Sequence, residues 1–415
     1  MSAVDRKVSD GAKLASQPEP GSSLYDPLSF EVRQDPYPAY RRLRESAPVY
    51  FCAERGVWVL SRYDDVRAAL RDWQTFTSAQ GLEIGEFVGF FGKGDFVQLD
   101  PPEHDVLRRV LAPRFANRAM AGYEPAIIAI AEQLVADLPA PGVVDLADTF
   151  TQRLPLLATC QMLGIPQSDV PWLVAGFTEM MRRPAGESTI PDRVRQLRAE
   201  LGGYFADQVR GRIDGDGASD LLGDIAGAVR DGTMPPEYVP GMCLMLMDAG
   251  METTAGLLGT IVHLIATGAA SASDMLDADG GLTNSAVDEF LRYDSPIQWL
   301  SRVTTADVTV RGQTISKGSR VLLLYASANR DAEAFPDPDR LDLNRNGARH
   351  LAFGDGIHFC LGMPLAKLEA RVGMRALLRR HPQFTLSGEA VRFPGLVSRA
   401  FHHIPVRLDA PASVG

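Results

Sequence analysis

The segment "GMCLMLMDAGMETTAGLLGTIVHLIATG", residues 241–268, is apolar nearly all the way round a helix. Such a helix has no face to turn to water, so it must run through the middle of a large protein or through a membrane. Asp248, Glu252 and His263 lie inside it, and ionisable groups at the centre of a bilayer are costly. The segment therefore predicts a buried central helix over about residues 238–267 of a soluble protein, opened by the helix-start signal "MPPE". A chain of 415 residues, 45% of them apolar, has the material to wrap it.

The polar residues of this helix carry the information. Asp248 and Glu252 stand one turn apart and share a face. Ala249 and Gly250 leave room for something to approach, and the Thr253 hydroxyl can bond back to the carbonyl one turn earlier and loosen the helix there. An acid pair bonded to neighbouring segments, with Thr253 and Thr254 as buried hydroxyls, explains the same residues without any chemistry.

Around this element the pattern is mainly α with a smaller β portion. Leu107, Val110 and Leu111 recur at helical spacing, as do Ile127, Ile128, Ala131 and Leu134. "VYFCAERGVWVL" reads as a hairpin turning at "ERG", and "RYDDVRAALRD" as a short helix with Asp64 and Asp65 in its first turn. Residues 79–96, rich in Gly and Phe, predict a long loop of the kind that lines a site. "VTTADVTVRGQTISKGSRVLLLY" and the C-terminal stretch predict strands and turns. No linker divides the chain, so residues 25–415 are expected to form a single large domain behind a disordered tail, residues 1–24.

Bulk properties exclude several classes. A net charge of -10 argues against nucleic-acid binding and against a generally basic membrane surface. Cys52, Cys160, Cys243 and Cys360 form no CxxC pair, which excludes a disulfide framework and a zinc ribbon and fits a reducing cytoplasm. The first residues hold no apolar core, so neither a signal peptide nor an anchor is expected there.

"FGDGIHFCLG", residues 353–362, places Cys360 behind closely spaced glycines and just before a helix start. A nucleophile would need a base in reach, and His358 is too near in sequence to provide that geometry readily. Zinc would need further ligands. A haem-thiolate bond needs only this cysteine, with glycines that let the backbone approach the ring and a helix N-terminus that favours the thiolate. A buried structural thiol is the remaining alternative.

The stretch resembles the haem-binding signature of the cytochrome P-450 family, F-x-x-G-x-x-x-C-x-G, through Phe353, Gly356, Cys360 and Gly362. "AGMETT" is similar to the family's oxygen-binding motif, and "DPPEHDVLRRV" to its helix that reaches the haem propionates. Glu289, Arg292 and Arg340 resemble its E-x-x-R-plus-arginine triad. The matches run in family order over nearly the whole chain. The resemblance implies the family fold, with haem b between the long central helix and the cysteine loop.

It further implies Cys360 as axial ligand of the haem iron, with His104, Arg108, Arg302 and His358 at the propionates. Ala249, Gly250, Phe353, Gly354, Gly362 and Ala366 are expected around the ring, Thr253 and Glu252 as the oxygen-activating hydroxyl and its proton relay. The substrate pocket is expected from Phe87, Phe90, Met245, Ile297, Gln298, Val397 and Ser398. Asp248 stands where the family often has an apolar residue, and is expected to bind a polar or basic substrate group unless it bonds to another helix.

The implied reaction is monooxygenation (hydroxylation or O-dealkylation) of a small apolar or aromatic molecule, with O2 as co-substrate. Oxidative coupling or cyclisation on the same centre and a non-enzymatic haem-thiolate sensor are the alternatives. The chain looks too short for a fused reductase. Electrons are therefore expected from a ferredoxin or flavodoxin with its NAD(P)H-dependent reductase, docking near Arg109, Arg114, Arg118 and Arg349. A cytoplasmic monomer is expected.

Overall fold

The computed structural model describes residues 24–85, 90–181, 190–213, 219–345, 347, 349–393 and 395–409. The predicted tail lies almost wholly outside them. The central helix runs Val239–Ala266. It opens on Pro240, whose missing N–H would have been unpaired in the first turn anyway. It closes at Thr267, whose hydroxyl donates to the His263 carbonyl at 2.8 Å. Helices Arg153–Leu163 and Asp192–Ile213 cover its flanks, and Met363–Arg380 packs across it and along Asn117–Ala136. Among the described residues, one helix is long and apolar enough to cross a membrane. It is this one, and 67% of its most apolar window is buried inside the protein.

The smaller β portion sits to one side. Its main sheet is mixed, in the order Val49–Cys52, Val57–Leu60, Arg320–Leu323, Leu300–Thr304, Phe76–Thr77. The predicted "ERG" hairpin forms its edge, with Val49 opposite Leu60 and Cys52 opposite Val57. The "RGQ" turn joins Val308–Val310 to Gln313–Ile315 as a separate hairpin. The C-terminal strand Pro405–Leu408 lies between Gly142–Asp145 and Phe384–Leu386, so the end of the chain is tied back to its middle. Helix Tyr63–Arg71 follows the first hairpin with Asp64 and Asp65 in its first turn, as read from the sequence.

A buried carboxylate joins these parts. Asp294, just past helix Asn284–Tyr293, accepts from Tyr37 Oη (2.7 Å), Thr260 Oγ1 (3.0 Å), Arg392 Nη2 (2.6 Å) and Arg399 Nε (2.8 Å). The N-terminal region, the central helix and the C-terminal turn thus meet at one charge. Burial works against ionisation of Asp294, yet Arg392, Arg399 and the Tyr37 hydroxyl hold its carboxyl well below the usual carboxylate range.

A depressed carboxyl stabilises the fold above its unfolded value, about 3.9, and that contribution is lost as pH falls toward the folded value. Asp294→Asn leaves two arginines buried without a counter-charge. It is expected to destabilise the protein by about 3 kcal/mol at neutral pH and to flatten the loss of stability below about pH 4. Thermal unfolding across pH 3–7 checks both parts.

Candidate functional site

The loop carrying Cys360 is docked before the cysteine is reached. Arg67 on helix Tyr63–Arg71 pairs with Asp355 (2.9 Å), and the Asp355 carboxylate accepts from the Gly356 amide (2.8 Å). Gly356 has φ +71°, and a side chain there would run into the Leu70 carbonyl oxygen. Its task is this close approach to a helix, a correction to the expectation that it clears space for a ring. Gly354, at φ +67°, has no such neighbour and lines a cavity. The Cys360 amide donates to the Phe353 carbonyl (2.9 Å), which folds the loop back on itself. Helix Met363–Arg380 then begins.

Burial pushes the Cys360 thiol up, while the Gly362 and Met363 amides and the Arg108 guanidinium pull it down. Backbone N–H groups at a helix start are therefore aimed at this sulfur, as a thiolate requires.

The cavity lies between this loop and the central helix, with about 1410 Å³ of non-atom space, its open mouth included. Cys360, Phe353, Gly354, Gly362 and Ala366 line one side, and Ala249, Gly250 and Thr253 the other. The Thr253 hydroxyl donates to the Ala249 carbonyl at 2.8 Å, the back-bond read from the sequence. Met245, Leu246, Met162, Val97, Phe96 and Ile297 continue the wall on the helix side.

Basic groups gather at one edge. Arg108, Arg302 and His358 line the cavity, and the His104 ring stands edge-on to His358 at 4.6 Å. Among the described residues, neither ring nitrogen of His358 has a hydrogen-bond partner, nor has His104 Nε2. His104 Nδ1 is tied to Asp105 at 2.8 Å. Burial, then the charges of Arg302, His104 and Arg108, push His358 down to about 2, so the ring is neutral. Buried nitrogens without partners, among arginines, mark a place for anions.

Residues 280–392 match the family model "Cytochrome P450". The vitamin D(3) 25-hydroxylase of Pseudonocardia autotrophica is 35% identical over 94% of this chain and 97% of its own. The 6-deoxyerythronolide B hydroxylase of Saccharopolyspora erythraea is 32% identical over 92% and 97%. The chain belongs to the cytochrome P450 family. A Bacillus megaterium P450 solved in complex with testosterone superposes with a TM-score of 0.82 at 28% identity, covering 92% of this chain and 100% of that one. The protein is thus a P450 monooxygenase of the bacterial type, an oxidoreductase that uses haem and O2.

The residues present fit haem. A sulfur faced by amides, a slot between loop and helix, and arginines with buried imidazole nitrogens at one edge match an iron, a flat ring and a pair of carboxylates in turn.

Several expected pocket residues stand elsewhere. Asp248 is not part of the cavity wall. It shares a face with Glu252, as read, and its Oδ1 is buried, whereas Glu252, with Met251 and Ala255, lines a second cleft. Gln298 is buried, donating to the Ser295 carbonyl (2.7 Å) and accepting from Tyr40 Oη (3.2 Å). Val397 is buried outside the wall, its carbonyl taken by the Gln298 amide. Ser398 donates to Glu252. Phe90 is core, packed edge-on to Phe91 at 5.1 Å under the Arg198 guanidinium. Phe87 lies outside the described residues. Met162, Leu246, Phe96 and Val97 line the cavity and were not anticipated, because a cavity-facing apolar residue reads like a core one.

The triad needs one correction. Glu289 and Arg292 form a buried bidentate pair at 2.7 and 2.8 Å. The further guanidinium on Glu289 belongs to Arg345 (3.1 Å), whereas Arg340 offers its backbone carbonyl to Arg292 and Arg345. The loop "FPDPDRLDLNR" has no periodicity from which to tell its arginines apart. Arg345→Ala is expected to lower stability by about 3 kcal/mol and to speed haem loss, while Arg340→Ala stays close to wild type. Urea unfolding and the rate of Soret decay on dilution check the contrast.

Proposed function

We propose that this P450 oxidises a small, uncharged, largely apolar molecule, inserting one atom of O2 and reducing the other to water. The reading rests on the distribution of polarity in the cavity. Its basic groups lie at one edge with the cysteine loop, and the helix-side wall named above is thioether, aliphatic and aromatic. A wall of that kind favours apolar substrates through burial and leaves a charged group unpaired. Relatives named for vitamin D(3) and 6-deoxyerythronolide B, and a neighbour holding testosterone, point the same way.

Cys360 is the axial ligand in this reading, and Arg108, Arg302, His358 and His104 hold the propionates. Bound haem supplies reductive activation of O2. The chain's own residues do the rest. Ala249 offers only a methyl to the cavity and leaves room beside the helix. Thr253, with its proton directed to Ala249, turns its hydroxyl oxygen to the cavity as an acceptor. Glu252, one residue away and in the outer cleft, is the group that brings protons from solvent to that hydroxyl.

Electrons come from a ferredoxin or flavodoxin and its NAD(P)H-dependent reductase, on the face beside Cys360. Arg109, Arg118 and Arg349 are exposed, and Arg349 lies over Phe359, the neighbour of Cys360, at 4.0 Å. Arg114 drops out of the expected patch, because Asp224 takes its guanidinium at 2.9 Å.

Thr253→Ala is expected to keep haem and substrate binding but to divert most electrons into peroxide, read as product and peroxide formed per NAD(P)H consumed. Asp248→Asn is expected to leave substrate affinity within about twofold, since a difference under about 0.4 kcal/mol is all that a side chain off the cavity wall contributes. Spin-state titration of the ferric protein with neutral apolar ligands measures it, and weaker binding of charged analogues checks the substrate class.

A further inference from the structure

The central helix is a partition one residue thick. Thr253 lines the inner cavity, and Glu252, its neighbour, lines the outer cleft. The Glu252 carboxylate is reached from the C-terminal turn by Ser398, whose hydroxyl donates to Glu252 Oε1.

Ser398 is itself held in a stiff frame. It bridges Ile297 across an isolated β-pair, flanked by Gln298 N to Val397 O and Arg399 N to Pro296 O, each 2.7 Å. The following residue, Arg399, is locked on Asp294. The turn also presses on the central helix, for a side chain at Gly256 would meet the Arg399 carbonyl oxygen at 2.8 Å. Helix and turn therefore keep a fixed spacing, and the serine reaches the carboxylate from a rigid base.

The charged groups around the cleft are Asp145, Asp148, Arg153, Glu179, His402 and His403, with Asp248 one turn back on the helix. Most are already engaged. His403 Nδ1 meets Asp145 at 2.6 Å, Arg153 donates to the Asp148 carbonyl at 2.8 Å, and Glu179 takes Arg193 at 3.1 Å. On the carboxylate itself, the neutral hydroxyl of Ser398 donates to Oε1.

We propose that Ser398 is a positioning residue that holds Glu252 toward the outer cleft, where the carboxylate takes up solvent protons before serving Thr253. This rests on the reading of Glu252 as the proton relay. Ile297, the bridge partner of Ser398, lines the substrate cavity, so the frame that holds the acid also feels the substrate. The step is a proton transfer alone: Glu252 gains a proton from cleft water and later gives it up toward Thr253.

The test compares Ser398→Ala and Ser398→Thr with wild type by pH-difference infrared spectroscopy of the ferric protein, the Glu252 carboxyl band being identified by its loss in Glu252→Gln. Removing a donor from a carboxylate disfavours its charged form. The alanine variant should therefore titrate higher by about one pH unit, and the threonine variant, which keeps the donor, should stay with wild type. The pH profile of product formed per NAD(P)H should move with the band, with thermal unfolding unchanged. A band that stays in place in Ser398→Ala overturns the proposal. A band that moves while the coupling profile does not leaves the Ser398–Glu252 bond standing and removes the relay reading of Glu252.

Discussion

A helix without a polar face must be enclosed on every side, and the rest of this protein is organised by that need. Helices flank Val239–Ala266, a third crosses it, and the C-terminal strands close the remainder. Enclosure also explains why the few polar groups along it are consequential. Each must reach a partner through the packing or face a cavity. Thr260 reaches Asp294, Glu252 reaches Ser398, and Thr253 opens on the cavity. Reactive side chains are thereby spaced along one rigid rod, which is a better ruler than a loop.

The parts legible in the sequence are those whose meaning comes from local pattern. The central helix showed in its composition, the first hairpin in "ERG" between apolar runs, and Cys360 in a motif where a single cysteine suffices. Helical periodicity also paired Asp248 with Glu252 correctly. It could not say which way that face points, because successive residues step by about 100° and Ala249 and Thr253 are only one step away. Which of these faces meets the cavity is decided by packing from elsewhere in the chain.

Irregular segments were the opaque ones. Arg340 and Arg345 share one Pro-punctuated loop, and only its path shows whose guanidinium reaches Glu289. Val397, Ser398 and Gln298 were expected to line the pocket, yet they stand outside the cavity wall in a backbone-paired turn. Asp294 looked like an ordinary residue after a helix. Its importance is set by Tyr37, Thr260, Arg392 and Arg399, which come from distant parts of the sequence and give no local sign of converging.

The convergence of Arg108, Arg302, His104 and His358 has a consequence for how the protein comes into being. Burial and the neighbouring Arg302, His104 and Arg108 push His358 down, so this edge is built of basic groups that disfavour one another's charge. Carboxylates are the groups such an edge favours. A prosthetic group that binds only the native state stabilises it by mass action. Chains made faster than haem is supplied are the less stable population, and proteases reach those first.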